Sequence, residues 1–274
     1  MTADRYRVPF ALSVLCAALV TACGGSAPAA QPAAHPTSSP AASVTPTPVA
    51  VPQACSGLPG AQARWLPMAD GGRLEANTAG SGPAAVVFLH EIGRAGMCGF
   101  AAYAAWLIQH YQVQVVLVNR CGYGASDCAR PADTFDIRAE TGPAVSWARG
   151  NGARSVTLVG ASGGGGDAIQ AAALVPGVSA VVDLSGDVTD TNADNNVLAQ
   201  RVTIPALLVV APDDPYCSIA VMQSIYAQIP APVKRLVVES QLPGVHGWNL
   251  LLDDNGQPRP LASVVADWAV RPGA

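Results

Sequence analysis

Charge is scarce in this sequence. Asp, Glu, Lys and Arg together make up 12% of 274 residues, the formal net charge is -4, and Lys234 is the single lysine. With no run of basic residues there is no electrostatic footprint for gripping a phosphate backbone, so a nucleic-acid partner is not expected. Aromatic residues are few, at 5%. No cysteine pair has the spacing of a zinc site with matching histidines, so neither a metal nor a cofactor is expected. What is present in quantity is apolar: a 50% hydrophobic content fills a core and excludes a disordered or collagen-like chain. Many of the 23 prolines crowd into one early stretch, and the 27 glycines cluster at turns.

The first residues read as an address. Arg5 and Arg7 precede an uncharged, mostly apolar run from Val8 to Val20, too short to span a bilayer as a mature helix. It closes on Val20-Thr21-Ala22-Cys23, which resembles a bacterial lipobox; the plainer alternative is an ordinary secretory signal. The expectation is a signal peptide over 1–22, a lipidated Cys23, and an extracytoplasmic protein held on the cell membrane by that anchor. Two acyl chains hold firmly where one does not. Residues 24–54 carry seven prolines, nine alanines, seven serines or threonines and no charged side chain, a composition that cannot offset its own ordering entropy. So 23–54 is expected to be the anchor and its tether, and 55–274 the folded domain. Of the seven cysteines, Cys55, Cys98, Cys121, Cys128 and Cys217 lie in that domain. Outside the cytoplasm they imply two disulfides and one cysteine left over, with connectivity open.

From residue 84 onward apolar runs alternate with helical periodicity. Ala84–Leu89, Val113–Val118, Ser155–Val159, Ala180–Leu184, Ala206–Val210 and Arg235–Glu239 read as strands buried on both faces. Helices are expected over Met97–Tyr111, Phe135–Arg149, Gly163–Leu174, around Ile219–Ile229 and over Pro260–Val270. Ahead of them, Ala63–Met68 and Arg73–Ala76 flank a turn and read as an antiparallel edge hairpin. This pattern predicts a mostly parallel, eight-stranded α/β sheet covered on both faces.

Chemistry-bearing residues fall where these strands end. Val156–Val159 runs into Gly160-Ala161-Ser162-Gly163-Gly164 with a helix directly after, the strand-turn-helix setting that a G-x-S-x-G serine requires. The same glycines also suit a dinucleotide loop. Against that reading, about four strands precede the loop, and position 230, four before the lone lysine, is proline rather than the tyrosine such enzymes need. A serine needs a base, and of His35, His90, His110 and His246 only His246 follows the last strand. A strand ending in Asp213-Asp214-Pro215 lies between the two.

The order serine, aspartate, histidine on successive strand ends resembles the α/β-hydrolase family over about residues 61–270. The stretch Val116–Asp127 is also similar to the family's turn after its fourth strand. The resemblance implies an α/β-hydrolase fold and a Ser162–His246–Asp214 triad; the family often inserts a helical cap before Ala206, but the roughly 20 residues after Leu184 leave room for a short helix and no large cap. The acid directly before proline is Asp214, with Asp213 an exposed neighbour and Asp187 an outside alternative. The oxyanion donors implied are the backbone N–H groups of Gly163 and Ile92. Glu91 stands where the family commonly has glycine, and its carboxylate either opposes the developing charge or binds substrate. The run His90–Gly93 resembles the dienelactone-hydrolase branch locally, although that branch uses a cysteine nucleophile. The implied partner is a small-molecule ester, cleaved through an acyl-enzyme. The alternatives are a thioesterase or acyltransferase on the same triad, and a non-catalytic binding lipoprotein.

Overall fold

A computed structural model of the chain describes residues 52–129, 135–186 and 195–272. The signal segment, Cys23, most of the tether and Asp187 lie outside these residues. The described residues belong to one compact unit, Pro48–Ala274. The segment assigned to the tether ends in contact with the domain, because Gln53 donates its N–H to Glu75 Oε1 (2.7 Å) and Asn77 Nδ2 donates to the Gln53 carbonyl (2.7 Å).

Eight strands form one sheet in the order β1-β2-β4-β3-β5-β6-β7-β8. They are β1 (Gln62–Pro67), β2 (Arg73–Gly80), β3 (Ala84–Leu89), β4 (Val113–Val118), β5 (Ser155–Ala161), β6 (Ala180–Leu184), β7 (Ala206–Val210) and β8 (Lys234–Val238). The β1–β2 and β2–β4 pairings are antiparallel and all others are parallel. The sequence AAVVFL of β3, VQVVLV of β4 and ALLVV of β7 is buried at every position, as strands covered by helices on both faces must be. At the outer edge, β8 is only half-buried and begins with Lys234 and Arg235, charges that discourage pairing with another chain. Lys234 Nζ also donates to the carbonyls of Tyr226 and Ile229, at the C-terminal end of helix α5 (Ile219–Gln228).

The helices divide between the faces. On one face α2 (Ile137–Gly150), α3 (Gly163–Leu174) and α5 pack over Leu74, Val87, Leu158 and Leu208. On the other, a 3₁₀ turn at Gly96–Phe100, α1 (Ala101–His110) and α6 (Pro260–Val270) cover Phe88, Val115 and Val159. The helix expected from Met97 is thus a 3₁₀ turn followed by a shorter α-helix. Starts are set locally: Asp136 accepts from Arg138 and Ala139 N–H to cap α2, Ser218 accepts from Val221 N–H to cap α5, and Pro260 opens α6. Between β6 and β7 the one helix among the described residues is α4 (Asn195–Ala199).

The fold carries two disulfides, Cys55–Cys98 and Cys121–Cys128, and leaves Cys217 buried and reduced. The first spans 43 residues and joins the start of the domain to the 3₁₀ turn; the second closes a loop of 7 after β4. Loop-closure entropy makes the longer crosslink worth about 4 kcal/mol and the shorter about 2 kcal/mol. Denaturant titration of Cys55→Ala/Cys98→Ala is therefore expected to show the larger loss, and equal losses would contradict this account.

One strand buries an acid. Asp183 of β6 is fully enclosed, and neither carboxylate oxygen has a hydrogen-bond partner. The Gly186 N–H lies close enough to draw its pKa down without completing a bond, but burial dominates and pushes it up to about 7. The unfolded chain ionises near 4, so between pH 4 and 7 the folded state holds the extra proton. Stability on this account falls as pH rises through that window, and the cost is fully present above pH 7. The Tm of the protein should drop by roughly 5–10 °C between pH 5 and 8 relative to Asp183→Asn, followed by calorimetry. Parallel pH profiles for the two proteins would be the contrary result.

Candidate active site

The turn from β5 into α3 takes a single residue, Ser162. Ser162 sits on it with φ 53° and ψ -128°, a left-handed conformation that is costly for a residue with a Cβ. The reversal is possible because its neighbours have no side chains. A Cβ on Gly160 would meet the Gly164 carbonyl, and one on Gly164 would meet the Leu89 carbonyl. Gly165 lies against the Asp183 carboxylate in the same way. The four glycines at 163–166, poor helix formers in isolation, let α3 press onto the sheet. The Ser162 carbonyl accepts from Gly165 (2.8 Å) and Gly166 (3.3 Å), which starts the helix and leaves the Gly163 N–H uncommitted among the described residues.

Asp214 follows β7 on a turn where Asp213 takes φ 58°. The side chain of Asp214 is fully buried and gathers three donors: the N–H of Tyr216 (2.9 Å), the N–H of Cys217 (3.0 Å) and His246 Nδ1 (2.8 Å to Oδ1, 3.0 Å to Oδ2). The first two close an Asx turn, so the carboxylate is aimed before it meets the imidazole. Asp213 is exposed and takes no part. Backbone geometry turns the first of the two neighbouring acids outward and the second in, onto His246. His246 enters from the loop after β8, with 13% of its side chain exposed and the Tyr216 ring edge-on at 4.9 Å.

The other histidines are disposed differently. His90 is buried at the end of β3, its Nδ1 bonded to the Glu91 carbonyl (2.7 Å) and its Nε2 accepting from Arg120 N–H (3.4 Å). Burial, helped by the Arg120 charge, lowers its pKa to about 4 against the pull of the Glu91 carbonyl, so at neutral pH it is uncharged and fully engaged. His110 bonds the Trp106 carbonyl at the end of α1.

The loop after β3 touches both sides of this edge. Ile92 packs on Gly163, with 2.8 Å between its Cγ1 and the place where a Cβ would stand, and the Glu91 carboxylate packs on Gly247. Residues 163 and 247 therefore meet adjacent positions of one short loop, which brings the elbow and the imidazole loop to the same rim. The Ile92 side chain is 45% exposed and the Tyr216 side chain 69%, so the rim is open and partly apolar. Ser162 Oγ hydrogen-bonds to no described residue, His246 included. Such contacts are commonly loose in an empty site and tighten around substrate. Tyr216 went unnoticed in the sequence, where its only signal was its place two residues after Asp214.

Among the described residues no cluster of His, Cys, Asp and Glu could hold a metal ion. Behind the elbow, Asp167 of α3 pairs with Arg120 (3.0 Å), and burial raises its pKa to about 6 despite that charge. The pair ties α3 to the loop that Cys121–Cys128 closes.

No family model and no curated protein matches the chain. Solved structures do. An esterase of Pyrococcus furiosus superposes with a TM-score of 0.62 at 13% identity, over 76% of this chain and 89% of that one. A dienelactone hydrolase of Anabaena variabilis gives 0.59 at 22%, over 77% and 98%. An esterase of Butyrivibrio proteoclasticus with ferulic acid bound gives 0.56 at 15%, over 75% and 96%. With eight strands in this order and connection, the chain has the α/β-hydrolase fold.

Proposed function

We propose that the protein is a serine hydrolase of carboxylic esters. Ser162 attacks the acyl carbon, His246 takes its proton and returns it to the leaving alcohol, and Asp214 holds the imidazole in the Nδ1–H tautomer and stabilises it once charged. The N–H groups of Gly163 and Ile92 receive the oxyanion, the first at the N-terminus of α3, where the helix dipole adds to the attraction. Water then releases the acyl group by the same steps in reverse order of proton transfer. The observation that carries this reading is the hydrogen-bonded His246–Asp214 pair on the sheet edge where Ser162 occupies a left-handed turn. Esterases among the structural neighbours support the same choice of substrate class. An open rim bearing Ile92 and Tyr216, with no large cap above it, suits small acyl groups or an ester presented on a surface.

We further propose that this domain works outside the cytoplasm, tethered through a lipidated Cys23. Two disulfides in the domain support an oxidising compartment.

On short-chain nitrophenyl esters, Ser162→Ala should lower kcat by about 10⁴-fold or more with the circular dichroism spectrum unchanged. Turnover equal to that of the parent would remove Ser162 from the mechanism. The neighbouring acids separate as sharply: Asp214→Asn should cost on the order of 10³–10⁴ in kcat because the imidazole loses its oriented tautomer. Asp213→Asn should stay within about threefold, since surface substitutions away from such contacts are nearly neutral. The reverse ranking in steady-state kinetics would exchange their roles.

A further inference from the structure

Glu91 links two loops that are 157 residues apart in sequence. Its Oε1 accepts the N–H of Trp248 at 2.9 Å. Trp248 belongs to the 3₁₀ turn Gly247–Leu250, whose N-cap position is His246 itself, and no side chain of that segment caps it. A turn that begins without a local cap leaves backbone donors unpaired, and here the missing acceptor comes from the loop after β3. Gly247, at φ 58°, has no side chain and lets the carboxylate lie directly against its Cα. The Trp248 indole fixes the other side of the same turn, pressed on Gly99 with its ring 5.5 Å from that of Phe100. The next residue after Glu91 is Ile92, the proposed second oxyanion donor.

We propose that Glu91 is a positioning residue: its carboxylate caps the turn that follows His246, and so fixes the distance between the imidazole and the Ile92 N–H. The inference rests on the Ser162–His246–Asp214 reading, and it gives a constructive role to the acid that stands where the family commonly has glycine. The requirement is for an acceptor oxygen. A carboxylate, a neutral carboxyl and an amide all supply one, so the cap survives loss of charge.

The ionisable groups that bear on Glu91 are His246 and Asp214. Burial raises the pKa of Glu91, while the Trp248 N–H and the His246 charge oppose the rise and Asp214 adds to it.

Three proteins test this: the parent, Glu91→Gln and Glu91→Ala, each followed by ester kinetics across pH and by amide hydrogen exchange at Trp248. Glu91→Ala should lose about 10–100-fold in kcat with KM within about twofold, because a displaced catalytic group costs rate more than binding. Its Trp248 amide should exchange at least ~10-fold faster, as expected for an opened local hydrogen bond. Glu91→Gln keeps the acceptor. It should hold kcat within about threefold at pH 8 and keep the amide protected. A fall in Glu91→Gln as deep as that in Glu91→Ala would overturn the proposal, as would an unchanged kcat and amide in Glu91→Ala. Should the alanine variant not fold, an exposed Trp248 amide or a kcat lowered about 10-fold or more in the glutamine variant overturns it, and a protected amide with kcat within about threefold supports it. A parent without esterase activity would sink the catalytic reading alone, because Trp248 exchange decides the cap independently of turnover.

Discussion

Held at φ 53°, Ser162 stores backbone strain of order 1–3 kcal/mol that the surrounding contacts have to meet. Those contacts are backbone to backbone. Gly160 against Gly164, and Gly164 against Leu89, bring the strand, the turn and the next strand closer than any side chain would allow. The strain has a geometric product. It ends β5 abruptly and starts α3 directly after, with the Gly163 N–H uncommitted among the described residues. Ser185 after β6 and Asp213 after β7 also take a positive φ, 55° and 58°. Three neighbouring strands thus break sharply at one edge, and their ends can face one another across it.

The electrostatics of that edge follow from who is buried with whom. The Asp214 side chain is fully enclosed and gathers three donors. Asp183, equally enclosed, has no hydrogen-bond partner among the described residues, and its pKa rises to about 7. A similar contrast separates the imidazoles. Both nitrogens of His90 are engaged and its basicity is suppressed, whereas His246 rests Nδ1 on the Asp214 carboxylate.

Much of this was legible in the chain because the sheet is covered on both faces. Continuous apolar runs such as Ala84–Leu89 have no other stable use, and their alternation with helices dictates the parallel order. The polar half of β2 was not legible: Asn77 and Thr78 look like loop residues, and they are buried only because Cys55 N–H and the Arg64 guanidinium supply their partners. The split of the first helix into a 3₁₀ turn and α1 depends likewise on contacts outside its own sequence, such as the Met97 N–H donating to Asn119. Ser162 and His246 could be singled out by placement at strand ends. Asp214 needed a family pattern, since Asp213 carries the same group one residue earlier, and only the turn geometry distinguishes them. The role of Glu91 was out of reach, for its partner Trp248 lies at the far end of the chain. Disulfide pairing was hidden for the same reason.

The central claim is that this fold is assembled around a nucleophilic serine, and covalent trapping examines it most directly. The protein treated with a fluorophosphonate and digested for mass spectrometry should carry one adduct, on Ser162, formed only while the chain is folded. Absence of an adduct on the folded protein, or its appearance on a different serine, would contradict the account.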